Sequence, residues 1–166
     1  MADLGEMFRA PGVRFWRRLP GPIERVWAHL TDPARLSGWY DAGSLIEPRE
    51  GGAVRLNGGH IRGVVTQWRP PVKFAHTWNV FGPGDTTSAL PESYLTLELA
   101  AEEADVALTL IHLPVLDRFE PQNAMGWATF LDILDDTVNG RAVGPRRGYL
   151  ERNAGLYGVD LGNLQR

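Results

Sequence analysis

One strand of the sequence carries a histidine placed where acid–base chemistry is possible. His76 alternates with Phe74 and Trp78, so the three side chains project from the same face of that strand. An imidazole titrates near neutral pH and could donate a proton to, or take one from, a bound carbonyl or phenol. No nucleophile or second acid is demonstrably adjacent. A histidine hydrogen-bonded within the sheet is therefore the favoured interpretation, and His76 is the best catalytic candidate only as the alternative.

The other histidines are scattered along the chain. His112 is expected to hold the end of its strand, His60 to be solvated beside a turn, and His29 to lie at the edge of the first helix. The chain has 4 histidines, which share no ligand spacing, and 0 cysteines. This pattern predicts neither a metal site nor any other cofactor.

Charged residues near the carboxyl terminus have two interpretations. Asp132, Asp135 and Asp136 have the i, i+3, i+4 spacing that could hold Mg²⁺ on one helix face. No phosphate-binding glycine loop accompanies them, so a solvated acidic face is favoured. The arginines that follow could bind an acidic partner, and a solvated surface is again favoured. These arginines are Arg146, Arg147 and Arg152.

The tryptophans are informative because the chain has 6 of them in 166 residues. Trp27 falls in the apolar stripe of the first predicted helix and is expected to fill the core. Trp39, Trp68, Trp78 and Trp127 come from separate predicted elements. Large rigid side chains of this kind either fill a core or line a cavity for a small ligand, and both interpretations stay open.

Composition places the chain in the globular class and excludes several kinds of protein. The chain is 43% hydrophobic and 22% charged, which allows it to bury a core. Its net charge of −3 argues against a nucleic-acid binder. The absence of cysteine excludes disulfides and thiolate nucleophiles. No apolar run approaches the roughly 20 residues that span a bilayer, so a cytoplasmic protein is expected.

Periodicity and turn residues predict one domain over residues 1–166, with a core at residues 12–140. Alternating apolar residues predict six strands, and turn or proline signals separate them. The strands are residues 12–19, 53–56, 60–69, 73–81, 93–100 and 105–113. Three helices are predicted to begin at Pro22, Pro33 and Pro121, and the last of them ends near Gly140. The extension at residues 141–166 is expected to lie on the surface or fray, with about one helical turn around residues 147–153.

Five short motifs in this order resemble a known family. Residues 22–33 (PIERVWAHLTDP), followed by Leu36 and Trp39-Tyr40, are similar to the opening of the START-like (SRPBCC) superfamily. Residues 70–78 (PPVKFAHTW), 93–99 (SYLTLEL), 108–112 (LTLIH) and 126–127 (GW) are similar to later motifs of one branch. That branch is homologous to the carboxy-terminal domain of the activator of the heat-shock-protein-90 ATPase. The resemblance covers about residues 13–140 and departs at His76, where the branch usually has an aromatic residue.

The resemblance implies an α+β helix-grip fold. A curved antiparallel sheet would wrap around the long carboxy-terminal helix, two short helices would follow the first strand, and a cavity would lie between helix and sheet. It implies that His76 lies on the concave face. Trp39-Tyr40 and the loop at residues 82–91 would lie near an entrance, where they could act as a lid. The ligand-lining residues expected on this basis are Trp39, Tyr40, Trp68, His76, Trp78, Leu95, Leu97, Leu110, Trp127 and Leu131.

The superfamily hosts several functions on one scaffold, so three hypotheses follow. The leading one is binding of a hydrophobic or aromatic small molecule in that cavity. The second is a metal-free cyclase or hydratase that acts on a polyketide-like or aromatic substrate, with His76 as acid or base. The third is a co-chaperone-like module that binds a heat-shock ATPase through an exposed apolar patch. No nucleic-acid partner or membrane span is expected, and the chain is expected to be a monomer or a homodimer.

Overall fold

A seven-stranded antiparallel sheet with helices packed against it forms the architecture of this computed structural model, which describes residues 9–165. Residues 1–8 lie outside the described residues. They belong to the stretch in which no apolar spanning run was expected. The strands are β1 (Val13–Pro20), β2 (Leu45–Ile46), β3 (Ala53–Leu56), β4 (Ile61–Arg69), β5 (Lys73–Val80), β6 (Ser93–Glu102) and β7 (Asp105–Leu113). The helices are α1 (Ile23–Thr31), α2 (Pro33–Leu36), α3 (Glu120–Val138) and α4 (Arg146–Tyr157).

The strand order is β1-β7-β6-β5-β4-β3-β2, and every neighbouring pair is antiparallel. Alternation of buried and exposed residues fixes which face of the sheet meets the core. In the β6–β7 hairpin, Leu97 pairs with Leu110 and Leu95 pairs with His112, and all four side chains are buried. The α+β helix-grip prediction is confirmed, and the six predicted strands all form. The two-residue strand β2 at the edge was not predicted.

The first two helices form where the sequence places them. Val26 and Leu30 of α1 are fully buried, as their spacing predicts. The Asp32 side chain accepts a hydrogen bond from the Ala34 backbone N–H at 3.0 Å, so it caps α2. Trp27 lies at the edge of the core, where its ring meets the Trp68 ring edge to face at 5.1 Å between centroids.

The long helix α3 packs its apolar face against the sheet. Leu131, Leu134 and Val138 are no more than 1% exposed. They belong to one hydrophobic cluster that runs from Phe15 of β1 to Tyr149 of α4. Helix and sheet therefore share a single core.

The carboxy-terminal extension lies on the surface, which was one of the two expected alternatives, but it forms the 12-residue helix α4 instead of the single turn expected around residues 147–153. Helix α4 packs against α3. The Asn153 Nδ2 donates to Thr129 Oγ1 at 3.3 Å and to Asp132 Oδ2 at 3.0 Å. The Tyr149 hydroxyl donates to Asp136 Oδ2 at 2.6 Å. These polar contacts accompany the burial of Thr129.

The charged residues near the carboxyl terminus lie at the surface, as expected, and several of them also form ion pairs that tie the extension to α3. Arg152 pairs with Asp132 at 3.3 Å, and Arg141 pairs with both Asp135 and Asp136. The hydrogen bond from Tyr149, followed by that from Arg141, lowers the pKa of Asp136 below its usual value. Arg146 donates to the Trp39 carbonyl at 3.2 Å, and its guanidinium lies 4.9 Å from the Phe130 ring centroid. Arg147 pairs with Glu151 within α4.

The described part of the chain contains neither a helix able to span a membrane nor a cluster of metal-ligating side chains. Within residues 9–165, no helix combines the length and the apolar character that a bilayer span requires. The same part of the chain contains no group of three or more histidine and acidic side chains arranged to hold a metal ion.

Candidate functional site

Two adjoining cavities open at the end of the domain where α3 begins. The first has a volume of about 430 Å³ and the second about 450 Å³. They lie between the loop at residues 82–91, the connection at residues 114–119 and the first turns of α3. The residues that line both cavities are Trp78, Val80, Leu90, Phe119 and Asn123. Each volume falls within the range of small-molecule sites in proteins.

The strand ends explain why a cavity forms at this point. The last register pair of β5 and β6 is Trp78 with Ser93, and beyond it the two strands separate into the loop at residues 82–91. Hydrogen bonds hold this loop in shape. The Val80 N–H donates to Ser88 Oγ at 3.0 Å, and the Ala89 N–H donates to the Val80 carbonyl at 2.7 Å. The loop consequently carries Leu90 to the cavity wall.

The second wall follows the end of β7. Proline at position 114 cannot extend the ladder, and the chain leaves the sheet there. The Val115 N–H then donates to the Pro11 carbonyl at 2.9 Å, which fixes the connection beside β1. Val115, Leu116 and Phe119 add apolar surface to the first cavity. The wall of the first cavity is therefore mainly apolar.

His112, Ser93 and Asn123 line the first cavity and form one hydrogen-bonded network with the buried Trp127 indole. The Trp127 indole N–H donates to His112 Nδ1 at 3.0 Å, and Asn123 Nδ2 donates to the same nitrogen at 3.2 Å. His112 Nε2 lies 2.8 Å from Ser93 Oγ. Because an indole N–H can only donate, His112 Nδ1 must accept and the ring proton must lie on Nε2, from which it is donated to Ser93. Burial is the main cause that lowers the pKa of His112 to about 4.

His76 lies deeper, beneath the cavity wall. Its side chain is 1% exposed and stacks between the rings of Phe74 and Trp78, with centroid distances of 6.3 and 6.1 Å. Its Nδ1–H donates to the Thr77 carbonyl at 2.8 Å. Within residues 9–165, its Nε2 has no hydrogen-bond partner. Burial lowers the pKa of His76 to about 4, so the imidazole is neutral at pH 7 and presents an acceptor nitrogen.

Comparison with known proteins decides the family. The family model described as Activator of Hsp90 ATPase homolog 1-like protein matches residues 20–139, which is more than half of the chain. The protein belongs to this family. None of the curated proteins matches it.

Solved structures agree with the family assignment at the level of the fold. CalU16 from Micromonospora echinospora is 25% identical with a TM-score of 0.70, and the match covers 90% of this chain and 87% of that one. The protein encoded by gene BPP1335 from Bordetella parapertussis is 26% identical with a TM-score of 0.70, covering 95% and 92% of the two chains. PFC0360w, an HSP90 activator from Plasmodium falciparum, is 22% identical with a TM-score of 0.62, covering 79% and 97%.

The structure separates the ten expected lining residues into three groups. Trp78 lines both cavities. Trp68 packs partly buried at the edge of the core. The remaining eight are no more than 3% exposed and belong to the interior: Trp39, Tyr40, His76, Leu95, Leu97, Leu110, Trp127 and Leu131. Among them, Trp127 donates a hydrogen bond to His112, which lines the first cavity. Ligand contact by the ten expected lining residues stays a prediction.

The expected lid is present only in part. Trp39 and Tyr40 are 2% and 3% exposed and lie in the interior, so they do not border an opening. The Trp39 indole N–H donates to the His29 carbonyl at 2.7 Å. The loop at residues 82–91 does border both cavities through Leu90. Of the two expected lid elements, the loop alone has the placement that a lid requires.

The sequence analysis missed several residues of the cavity wall. Val80, Leu90 and Phe119 lie in or beside the connecting segments, where no periodicity marks an inward-facing residue. Asn123 had an available signal, because it stands four residues before Trp127 on α3 and so shares its face.

Proposed function

We propose that this protein binds a hydrophobic, aromatic small molecule in the two adjoining cavities at the amino-terminal end of α3. The observation that carries the proposal is the wall that the cavities share. Trp78, Phe119, Val80 and Leu90 offer aromatic and aliphatic surface, and Asn123 adds a polar group. Burial of apolar ligand surface against this wall supplies affinity, while the polar atoms orient the ligand.

Catalysis is not part of the proposal. His76, the best catalytic candidate in the sequence, is enclosed by Phe74 and Trp78 and is absent from the walls of both cavities. His112 does line the first cavity, but both of its nitrogens are engaged with protein side chains. A general acid or base needs a ring nitrogen within reach of the substrate.

A protein partner is the second candidate, and one surface favours it. The sheet exposes Trp16 (64%), Tyr94 (50%) and Leu113 (41%), and Tyr94 lies directly opposite Leu113, which gives a small apolar surface of the kind a co-chaperone-like module would use. The Plasmodium structure described as an HSP90 activator has the same fold. The cavities support small-molecule binding more directly, because their volumes of about 430 and 450 Å³ and their apolar, aromatic walls suit a small ligand.

Titration with the uncharged fluorophore N-phenyl-1-naphthylamine tests the proposal. We expect a saturable, one-to-one rise in probe fluorescence as the probe leaves water for the cavity. Leu90→Trp places an indole in the space shared by both cavities, so we expect the Kd to rise at least about tenfold, equivalent to about 1.4 kcal/mol.

The matched control is Leu45→Trp on the edge strand β2. Leu45 is 38% exposed and lines neither cavity, so this variant is expected to bind the probe as the wild type does. Equal probe affinity in wild type and Leu90→Trp would show that the probe binds elsewhere and would overturn the proposal.

A further inference from the structure

The carboxy-terminal extension reaches the second cavity, and the inference drawn from this rests on the proposed function. Tyr149 of α4 contacts Asp136 of α3. Asn153, one turn later in α4, contacts Asp132, one turn earlier in α3. The two helices are therefore antiparallel, so the carboxyl end of α4 comes to the amino end of α3. That end of α3 is where both cavities open.

The chain turns back after α4. Gly158 ends the helix with a left-handed backbone, at a φ of 64°. Asp160 then forms a tight turn, in which its carbonyl accepts from the Asn163 N–H at 3.1 Å and its Oδ1 accepts from the Gly162 N–H at 2.8 Å. Beyond this turn, Gln165 lines the second cavity.

One side chain of α3 holds the end of the extension. Gln122 Nε2 donates to the Gln165 carbonyl at 3.3 Å, and the Gln165 N–H donates to Gln122 Oε1 at 3.0 Å. The side-chain amide of Gln122 therefore pairs with the backbone of Gln165 in both directions. Both residues line the second cavity, and neither lines the first. The paired hydrogen bonds consequently lie in the wall of the second cavity.

This attachment is weak enough to open. Among the hydrogen bonds of residues 9–165, those with Gln122 alone join residues 160–165 to another element. Both hydrogen bonds are exposed, and the neighbouring Leu164 side chain is 42% exposed. An exposed hydrogen bond contributes little net stability, because water replaces it when it breaks. Chain ends held by so few contacts open readily.

We propose that residues 159–165 form a strap that opens and closes over the second cavity and is held closed by Gln122. The closed strap completes the wall of the cavity, and the open strap gives an aromatic ligand a passage through that wall. The strap thus controls how quickly the ligand enters and leaves. It lies beyond residue 139, where the match to the family ends, so the extension adds this control to the matched domain.

Stopped-flow fluorescence with N-phenyl-1-naphthylamine tests this proposal. Gln165→Pro removes the backbone N–H that donates to Gln122, whereas Gln165→Ala keeps it. Both variants lose the Gln165 side chain, so the difference between them isolates the hydrogen bond. We expect kon and koff to be about three- to tenfold higher in Gln165→Pro than in Gln165→Ala, because loss of one net hydrogen bond raises the open population by about this factor. The Kd values should differ by less than about twofold, since a strap that limits entry and exit equally leaves the binding equilibrium unchanged.

The outcomes separate the two proposals. If the wild type does not bind the probe, the proposed function fails. If the probe binds and its rates are the same in Gln165→Pro and Gln165→Ala, the ligand does not pass the strap and only this inference fails. A nuclear Overhauser effect between the Gln122 side-chain NH₂ and the Gln165 backbone N–H is expected in the wild type. Its absence would overturn the closed strap whether or not the probe binds.

Discussion

Trp127→Ala is expected to lower the free energy of unfolding by about 3–5 kcal/mol, the range for removing a buried aromatic side chain. Trp127 is 3% exposed, and its ring centroid lies 5.3 Å from Trp78, 5.9 Å from His112 and 6.0 Å from Phe130. The substitution leaves a hole between α3 and the sheet and removes the donor to His112. A loss of this size is a large part of the stability of an ordinary domain.

Urea denaturation of Trp127→Ala and Trp16→Ala provides the measurement. Trp16 is 64% exposed on β1, so the same substitution there should cost less than about 1 kcal/mol. Trp127→Phe keeps an aromatic ring but loses the N–H, and its cost should fall between the two. Equal losses of unfolding free energy in Trp127→Ala and Trp16→Ala would contradict the claim that the Trp127 ring is a main part of the core between α3 and the sheet.

Acid is expected to destabilise the protein through two buried histidines. Burial lowers the pKa of His76 to about 4, against 6.5 for a free imidazole. A lowered pKa in the folded state means that the unfolded chain binds protons first. Stability is therefore complete above about pH 6.5 and falls as the pH drops from 6.5 through 4. For His76 alone, the loss by pH 4 is about 3 kcal/mol.

His112 adds to this loss, since burial and then repulsion from His76 lower its pKa to about 4 as well. His76→Phe should remove the contribution of His76 to this acid destabilisation. Between pH 7 and pH 4, the free energy of unfolding of the variant should therefore fall by about 3 kcal/mol less than that of the wild type. The control is His60→Phe, because His60 is exposed. Chemical denaturation across that pH range measures both. An unchanged pH dependence in His76→Phe would show that His76 is not buried as a neutral group.

The sequence was sufficient for most of the sheet because its signals are local. Alternation in residues 93–100 and 105–113 identifies two paired strands, and both form with Leu97 opposite Leu110. Proline and glycine mark where each strand must stop. The helix α1 likewise follows from the spacing of Val26 and Leu30.

Helix α4 could not be predicted in the same way because its buried side is largely polar. Its buried residues are Tyr149, Asn153 and Ala154, and the first two face acceptors on α3. An apolar stripe is the signal that sequence periodicity detects, and no such stripe exists here. Asp132 and Asp136 looked like solvent-facing charges for the same reason, since their partners are distant in sequence.

The cavity illustrates a different difficulty. The residue types that line a ligand site are the types that fill a core, so Leu95, Leu97 and Leu110 were reasonable candidates. Their near-complete burial reflects close packing between α3 and the sheet, which periodicity does not reveal. The two cavities lie instead where β5 and β7 end and β6 begins. Leu90 lines them from the loop at residues 82–91.

The location of the bound aromatic molecule is the most direct test of the account. Nuclear Overhauser effects should be measured between N-phenyl-1-naphthylamine and the methyl groups of the protein. The account predicts contacts with Val80, Leu90 and Val115, which line the cavities. Contacts confined to the interior methyl groups of Leu95, Leu97 and Leu110, or no contacts with the protein, would contradict it.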